Sequence, residues 1–483
     1  MVGVDAGRFP GAQTVVRKKP CEIGDAHLNP EDPSHSDEEA HAAAAPVVNP
    51  KAMLPWLLGL AIGAGGLLQG LHWRSQSPAI AVEAVESQLR MVTEENQILR
   101  RENESLRSLA QGGGEMSVPQ EFVDHLEREF GLHFLSTPVV HRIAGEELRD
   151  RIAAAMESRF GPSGIYDRQD AYHLIGWIGG DVNLLAQLTA VRAVGVRGWF
   201  DEVTGDGWVT DRFDLENIPD QGALVRLLAR ILLHQHFPPP PGYPGDDAAR
   251  AREALHAGAA AGAEGRFMAA NARAIGFMQV ESNLDVEQLM ASIAPFVEGI
   301  ATFPGTNGRG LADTLHVRGN EALHAVLRDP PQTTRQIFFP AEPVGEIREV
   351  VLPEPPEPPF LEESAGQLGL RLWLEATGDL GMAMNLAAAW RGDRYALVPD
   401  GEESALVIWE LEMATPEDAD DLLDAALERV AAMAGMEPDE TPLAGAVVAS
   451  QNARFIRAMR VSPTRVRFLN THERDSAERE WGE

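Results

Sequence analysis

Five side chains near the middle of the chain carry the most pronounced chemical character. Arg226 and Arg230 lie four residues apart in the stretch LVRLLARILLHQHF (224–237), His234 and His236 close that stretch, and His256 follows further on. On an α-helix, residues four apart stand one above the other, so the arginines present two permanent cations on one face. A guanidinium stays protonated and has no lone pair to give a metal. A pair of them can instead grip a carboxylate or another anion, or simply pair with acidic neighbours. The imidazoles suggest different chemistry, because neutral histidine is a frequent metal ligand. His234, His236 and His256 are the set that would rebuild a metal site. Helical spacing opposes it: residues two apart project about 200° from each other. They converge only if the helix stops there, as the prolines of 238–241 require. Otherwise these histidines are helix-end caps or ordinary surface residues.

Several elements must place these residues. The stretch 224–237 is an amphipathic helix, with Arg226, Ala229, Arg230 and Leu233 on one face and Leu224, Leu227, Leu228 and Ile231 on the other. Ahead of it, VRGWFDEVTGDGWVTD (196–211) reads as strand, tight turn at Thr204–Gly207, strand. Most of 118–340 has helical periodicity. A Pro-rich tract, PAEPVGEIREVVLPEPPEPPF (340–360), reads as a stiff linker. After it, LGLRLWLEA and ALVIWELEM read as strands, and TPEDADDLLDAALERVAAMAG as a helix capped by Thr415.

Six motifs occur in one order: GWFDEVTGDGWVT (198–210), LVRLLARILLHQHF (224–237), ALHAGAA (254–260), PFVEG (295–299), PPQTTRQIFFP (330–340) and WRGDRY (390–395). In kind and order the set resembles a widespread prokaryotic group of HExxH metallopeptidase-like proteins, over roughly residues 140–410. The resemblance implies a zincin-like domain, with the central helix as the zinc helix. It also locates a departure. Matched on Gln235-His236-Phe237, Arg226 and Arg230 occupy the two zinc-histidine positions, Leu227 the catalytic glutamate, and Ala257 the glutamate implied as third ligand. Such a site needs two imidazoles on one face and an adjacent base to activate water. Two guanidiniums repel the ion and Leu227 accepts no proton. The expectation is therefore a pseudopeptidase with no cofactor. The alternative is an active zinc enzyme with relocated ligands His234, His236 and His256.

The N-terminal part has its own organisation. Residues 1–50 read as a disordered arm. AMLPWLLGLAIGAGGLLQGLHW (52–73) holds no charge, carries tryptophans near both ends and has GxxxG spacing at Gly59/Gly63 and Gly66/Gly70. It predicts a transmembrane helix. Residues 82–110 predict a coiled coil: Val85, Leu89, Val92, Asn96, Leu99, Asn103, Leu106 and Ala110 keep a heptad, with Asn96 and Asn103 at a positions. Asn at a pairs with its own copy in a parallel, in-register dimer. Glu95 and Glu102 at g face Arg100 and Arg107 at e. The slight Lys/Arg excess before the span favours a cytoplasmic N-terminus and extracytoplasmic globular domains.

Across its 483 residues the chain has net charge −32, which argues against nucleic acid as a partner. Its single cysteine, Cys21, allows neither an internal disulfide nor a cysteine metal site. The expected fold class is α+β. A mostly helical zincin-like domain with a β-hairpin (118–340) leads through the Pro-rich linker (341–365) to a small α+β domain (366–470) and a charged tail (471–483). The expected function is a non-catalytic, membrane-anchored interaction or scaffold protein, displayed as a parallel homodimer toward a protein or cell-envelope partner.

Overall fold

The computed structural model describes residues 114–160, 162–239, 242, 244–271, 284–342, 346–401, 404–437, 440–479 and 481. The arm at 1–50 with Cys21, the predicted span at 52–73, and the predicted coiled coil at 82–110 with Asn96 and Asn103 lie outside the described residues. No helix among the described residues is long and apolar enough to cross a membrane.

The fold is α+β. In chain order the elements are α1 (Gln120–Phe130), β1 (Val140–Ile143), α2 (Gly145–Phe160), α3 (Pro162–Ile175), α4 (Leu184–Ala193), β2 (Gly198–Phe200), β3 (Gly207–Thr210), α5 (Ile218–His236), α6 (Asp246–Ala270), α7 (Leu284–Ala291), α8 (Pro295–Val317), α9 (Asn320–Arg328) and α10 (Thr334–Phe338). Then come β4 (Leu361–Glu363), α11 (Gly366–Glu375), α12 (Leu380–Ala388), β5 (Trp390–Pro399), β6 (Ala405–Met413), α13 (Pro416–Ala434), β7 (Val448–Ala449), β8 (Phe455–Ser462), β9 (Arg465–Thr471) and α14 (Arg474–Glu478). The hairpin pairs β2 antiparallel to β3, and β1 joins β3 in parallel, giving the order β1-β3-β2 with β2 at an edge. The second sheet runs β4-β5-β6-β9-β8-β7, antiparallel throughout.

The helical half is built on α5, α6 and α8. The α6 sequence is rich in Ala and Gly, and small side chains let backbones approach closely. A Cβ on Gly258 would lie 2.1 Å from the Gly308 carbonyl carbon, and one on Gly308 1.9 Å from the Ala254 carbonyl oxygen. Glycine is therefore required at both positions for α6 to lie against α8. In the sheet half, β6 alternates strictly. Val407, Trp409, Leu411 and Met413 enter the main core, whereas Leu406 and Ile408 pack with Leu469 and Trp481 on the opposite face. Helix α13 starts at a Thr415–Asp418 capping box and stops at Gly435 in the left-handed region, as its terminal residues dictate.

The two halves share one core. Trp177 stacks on Phe296 at 4.7 Å and meets Trp409 at 5.1 Å, and its indole donates to the Gly369 carbonyl at 3.1 Å. A buried polar lock accompanies it. The Asp246 carboxylate accepts from Arg168 (2.9 Å), Tyr172 (2.7 Å) and, from β5, Tyr395 (3.1 Å). Asp393 of WRGDRY accepts from the backbone of Ala365 and Gly366 and from the indoles of Trp390 and Trp409.

One local expectation needs correcting. LGLRLWLEA forms helix α11, not a strand. Leu368, Leu370, Trp373 and Leu374 are all buried in it, because it is enclosed on most sides, and that burial imitates alternation. The tail is packed: Ala477 and Trp481 are buried, and the Trp481 carbonyl accepts from Arg467 at 2.7 Å. The Pro-rich tract (340–360) leads directly into the sheet, where β4 pairs with β5.

Candidate functional site

Helix α5 keeps its packing face and turns its cations toward a void. A cavity of about 1050 Å³ is lined from α2, α4, β2, α5, α6, α8 and α9. Arg226, Leu227, Arg230 and His234 of α5 line it, as do His256 and Ala257 of α6. Arg226, Leu227, Arg230 and Ala257 therefore face one space. The wheel reading needs one change. Ala229 and Leu233 are fully buried in the core, and Leu227 shares the cavity wall with the arginines. Leu227 sits there because β2 and β3 are glycines where they cross it: a Cβ on Gly207 would lie 2.8 Å from its side chain.

The arginines are organised by carboxylates that the sequence did not single out. Arg230 donates to Glu202, in the β2–β3 connection, at 2.6 Å. Arg159 of α2 bridges Glu202 (3.7 Å) and Glu253 (3.5 Å), and Arg192 of α4 reaches Glu253 at 3.5 Å. Burial opposes ionisation of Glu253. Arg192, Arg159 and Arg230 overcome it and hold the carboxyl at about 2. Arg226 is about half exposed and lies 3.4 Å from Glu264, whose carboxyl burial pushes up against the pull of Arg226 and Arg309. Arg252 has no ion-pair partner among the described residues. One of its terminal nitrogens donates to Gln332 at 3.0 Å, while its Nε is buried without a hydrogen-bond partner.

The histidines do not assemble. His234 and His256 line the cavity, whereas His236 turns away and bonds the His133 carbonyl oxygen at 2.7 Å. Helix α5 runs through His236, so the spacing of two keeps the rings apart. Burial, then Arg230 and His234, press the His256 imidazole down to about 3, and burial and Arg230 also lower His234, against Glu202. Both rings are neutral near pH 7. Among the described residues, no group of three or more His, Cys, Asp or Glu could hold a metal ion.

The cavity's sign is opposite to that of the chain. Six arginines line it (Arg159, Arg192, Arg226, Arg230, Arg252 and Arg328) against three carboxylates, Asp201, Glu202 and Glu253, although the protein has net charge −32. Sequence reasoning found Arg226 and Arg230 from their spacing. It missed Arg159, Arg192, Arg252 and Arg328, whose convergence is set by how α2, α4, α6 and α9 pack. Glu253 had a readable signal: it lies one helical turn before Ala257, on the same face of α6.

Residues 359–479 match a family model described as a domain of unknown function (DUF8575). That segment runs from just before β4 through α14, and the cavity lies outside it. No curated protein and no solved structure matches the chain.

Proposed function

We propose that this chain is a non-catalytic binding protein of metallopeptidase-like descent, anchored in a membrane and displayed as a parallel dimer, whose arginine-lined cavity receives an anionic group of its partner. One observation carries the reading: the excess of guanidinium groups enclosed in a single cavity of a strongly acidic chain. Clefts lined by one sign of charge focus the field and concentrate ligands of the other sign. Charge-assisted bonds from guanidinium to an oxyanion are about twice as strong as neutral ones. The residues present cannot run the ancestral hydrolysis, because Arg226 and Arg230 donate where lone pairs are needed and Leu227 cannot take a proton from water.

The experiment is elemental analysis of the purified chain together with peptide hydrolysis and anion-binding assays. We expect zinc far below one equivalent, no chelator-sensitive cleavage, and saturable binding of an anionic probe such as anilinonaphthalene sulfonate that Arg226→Ala with Arg230→Ala weakens. Stoichiometric zinc that disappears with His234→Ala would replace this reading with that of a relocated metal site.

A further inference from the structure

We infer that the cavity takes up its anion together with a proton held on Asp247, so that binding weakens as the medium turns from mildly acidic to mildly alkaline. The inference rests on the anion-binding reading above and adds the regulation of that site.

The fold leaves the Asp247 carboxyl short of partners. The Thr334 backbone donates to its Oδ1 at 2.9 Å, and its Oδ2 is buried with no hydrogen-bond partner. The start of α11 closes over it: a Cβ on Gly366 would lie 1.8 Å from Oδ1. Asp246, Glu363 and Asp393 are buried around the same end of α6, and each of those is provided for. Asp246 has Arg168 and Tyr172 of α3, Tyr395 of β5 and Arg250 of α6. Glu363 of β4 has Arg168 and the Asp246 backbone. Asp393 of β5 has the backbone of Ala365 and Gly366 and the indoles of Trp390 and Trp409. Arg335 of α10, next to Thr334, pairs with Glu342. The cations around Asp247 are thus engaged by other groups, and a buried carboxyl without a counter-charge keeps its proton. Burial pushes this one up to about 7, so the proton is lost near neutral pH.

The next turns of α6 wall the cavity. Ala249, Arg252, Glu253 and His256 follow Asp247 on this helix and line the space. Arg252 has no ion pair among the described residues, and its Nε is buried without a partner. One short segment holds both groups: Thr334 donates to Asp247, and Gln332, two residues earlier, accepts from Arg252 at 3.0 Å. Five residues of helix set Arg252 about 8 Å along the axis from Asp247. At an effective dielectric of about 20, a unit charge on the order of 10 Å from a bound anion changes its affinity about tenfold. An ionised Asp247 repels that anion and a protonated one does not, so by linkage the bound anion also tightens the proton. The histidines of the wall titrate at lower pH. Burial, with Arg230, holds both His234 and His256 down, while Arg192, Arg159 and Arg230 keep Glu253 ionised against its burial.

The test titrates the full chain with anilinonaphthalene sulfonate, whose sulfonate stays ionised throughout, at pH values of about 6.5 and 8.5, one to two units either side of the Asp247 transition. We expect binding about tenfold weaker at the higher pH. Calorimetry near neutral pH, in buffers of different ionisation enthalpy, should show a proton taken up with the anion. Asp247→Asn should bind alike at both pH values and take up no proton. Glu264→Gln should keep the dependence, although it removes another carboxyl that burial pushes up beside a cavity arginine. A urea melt of each variant separates lost binding from lost fold, and proton uptake by the parent decides the matter if Asp247→Asn does not fold. Parent affinity that changes less than about twofold between the two pH values overturns the inference and leaves the anion site standing. A dependence that Asp247→Asn retains, or binding by the parent without proton uptake, does the same. If the probe does not bind, or Arg226→Ala with Arg230→Ala leaves its binding unchanged, the anion-binding reading fails as well.

Discussion

Asp247 allows the sharpest test of the fold's electrostatics. It is the second residue of α6 and is 3% exposed. Its Oδ1 accepts from the Thr334 backbone at 2.9 Å, and its Oδ2 is buried without a partner. Burial raises its carboxyl from the ordinary 3.8 to about 7, helped by nearby Asp393 and opposed by Thr334 and Arg250. The sign follows from linkage. The folded chain binds this proton more tightly than the unfolded chain, so its stabilising contribution is full below about pH 4 and is lost as pH rises through about 7. Each pH unit in that window is worth about 1.4 kcal/mol for one proton, so the fold loses about 4 kcal/mol across it. Asp247→Asn keeps the Oδ1 acceptor and does not titrate. Urea unfolding at several pH values should therefore find the variant no more stable than the parent near pH 4, but more stable by about 4 kcal/mol near pH 8. Parallel stability curves for the two proteins would show that Asp247 ionises normally in the fold, and the reasoning would be wrong.

Glu253→Gln leaves Arg159, Arg192 and Arg230 short of a carboxylate. The loss should be about 2–3 kcal/mol, scaled down from a fully buried pair because Glu253 is partly solvated. A lower urea midpoint at neutral pH checks this. The difference should shrink in acid, since a carboxyl held near 2 contributes its stability above about 4.5 and loses it as pH falls. Gly308→Ala pushes a methyl into the Ala254 carbonyl and should cost at least about 1–3 kcal/mol; an unchanged melting temperature would contradict the close α6–α8 contact. Placing the ligands that the metallopeptidase resemblance implies, with Arg226→His, Arg230→His and Ala257→Glu, should produce zinc uptake near one equivalent by elemental analysis. If the fold stays intact and no zinc is taken up, those three positions do not meet as the metallopeptidase resemblance requires.

The parts of the fold that were legible in the sequence are those fixed by local chemistry. The hairpin follows from its glycines and alternation, α13 from Thr415, Asp418 and Gly435, and the paired cations of α5 from a spacing of four. What was not legible depends on distant packing. Helix α11 is enclosed on nearly all sides, so its leucines imitate a strand. The motifs PPQTTRQIFFP and WRGDRY read as family markers with no assigned role. In the structure Thr334 accepts from the Leu368 backbone, Arg335 reaches the Ala388 carbonyl, and Asp393 gathers backbone and indole donors. Thr334 and Arg335 fasten the helices before residue 359 to the sheet half, while Asp393 ties β5 to the start of α11 and to β6. The cavity's remaining arginines come from helices far apart in sequence, and no one-dimensional pattern joins them.

The polar lock between the halves bears on how the protein can be dissected. The segment that matches a family model, 359–479, contributes Tyr395 and Glu363, while Arg168, Tyr172 and Asp246 come from the helices before it. Excising that segment would expose Trp373 and Trp409 to water and strip Glu363 of its Arg168 counter-charge. The segment that the family model matches and the unit that shares one core are thus different lengths of chain here. An expression fragment trimmed to the shorter one should precipitate, whereas one starting ahead of α1 should stay in solution.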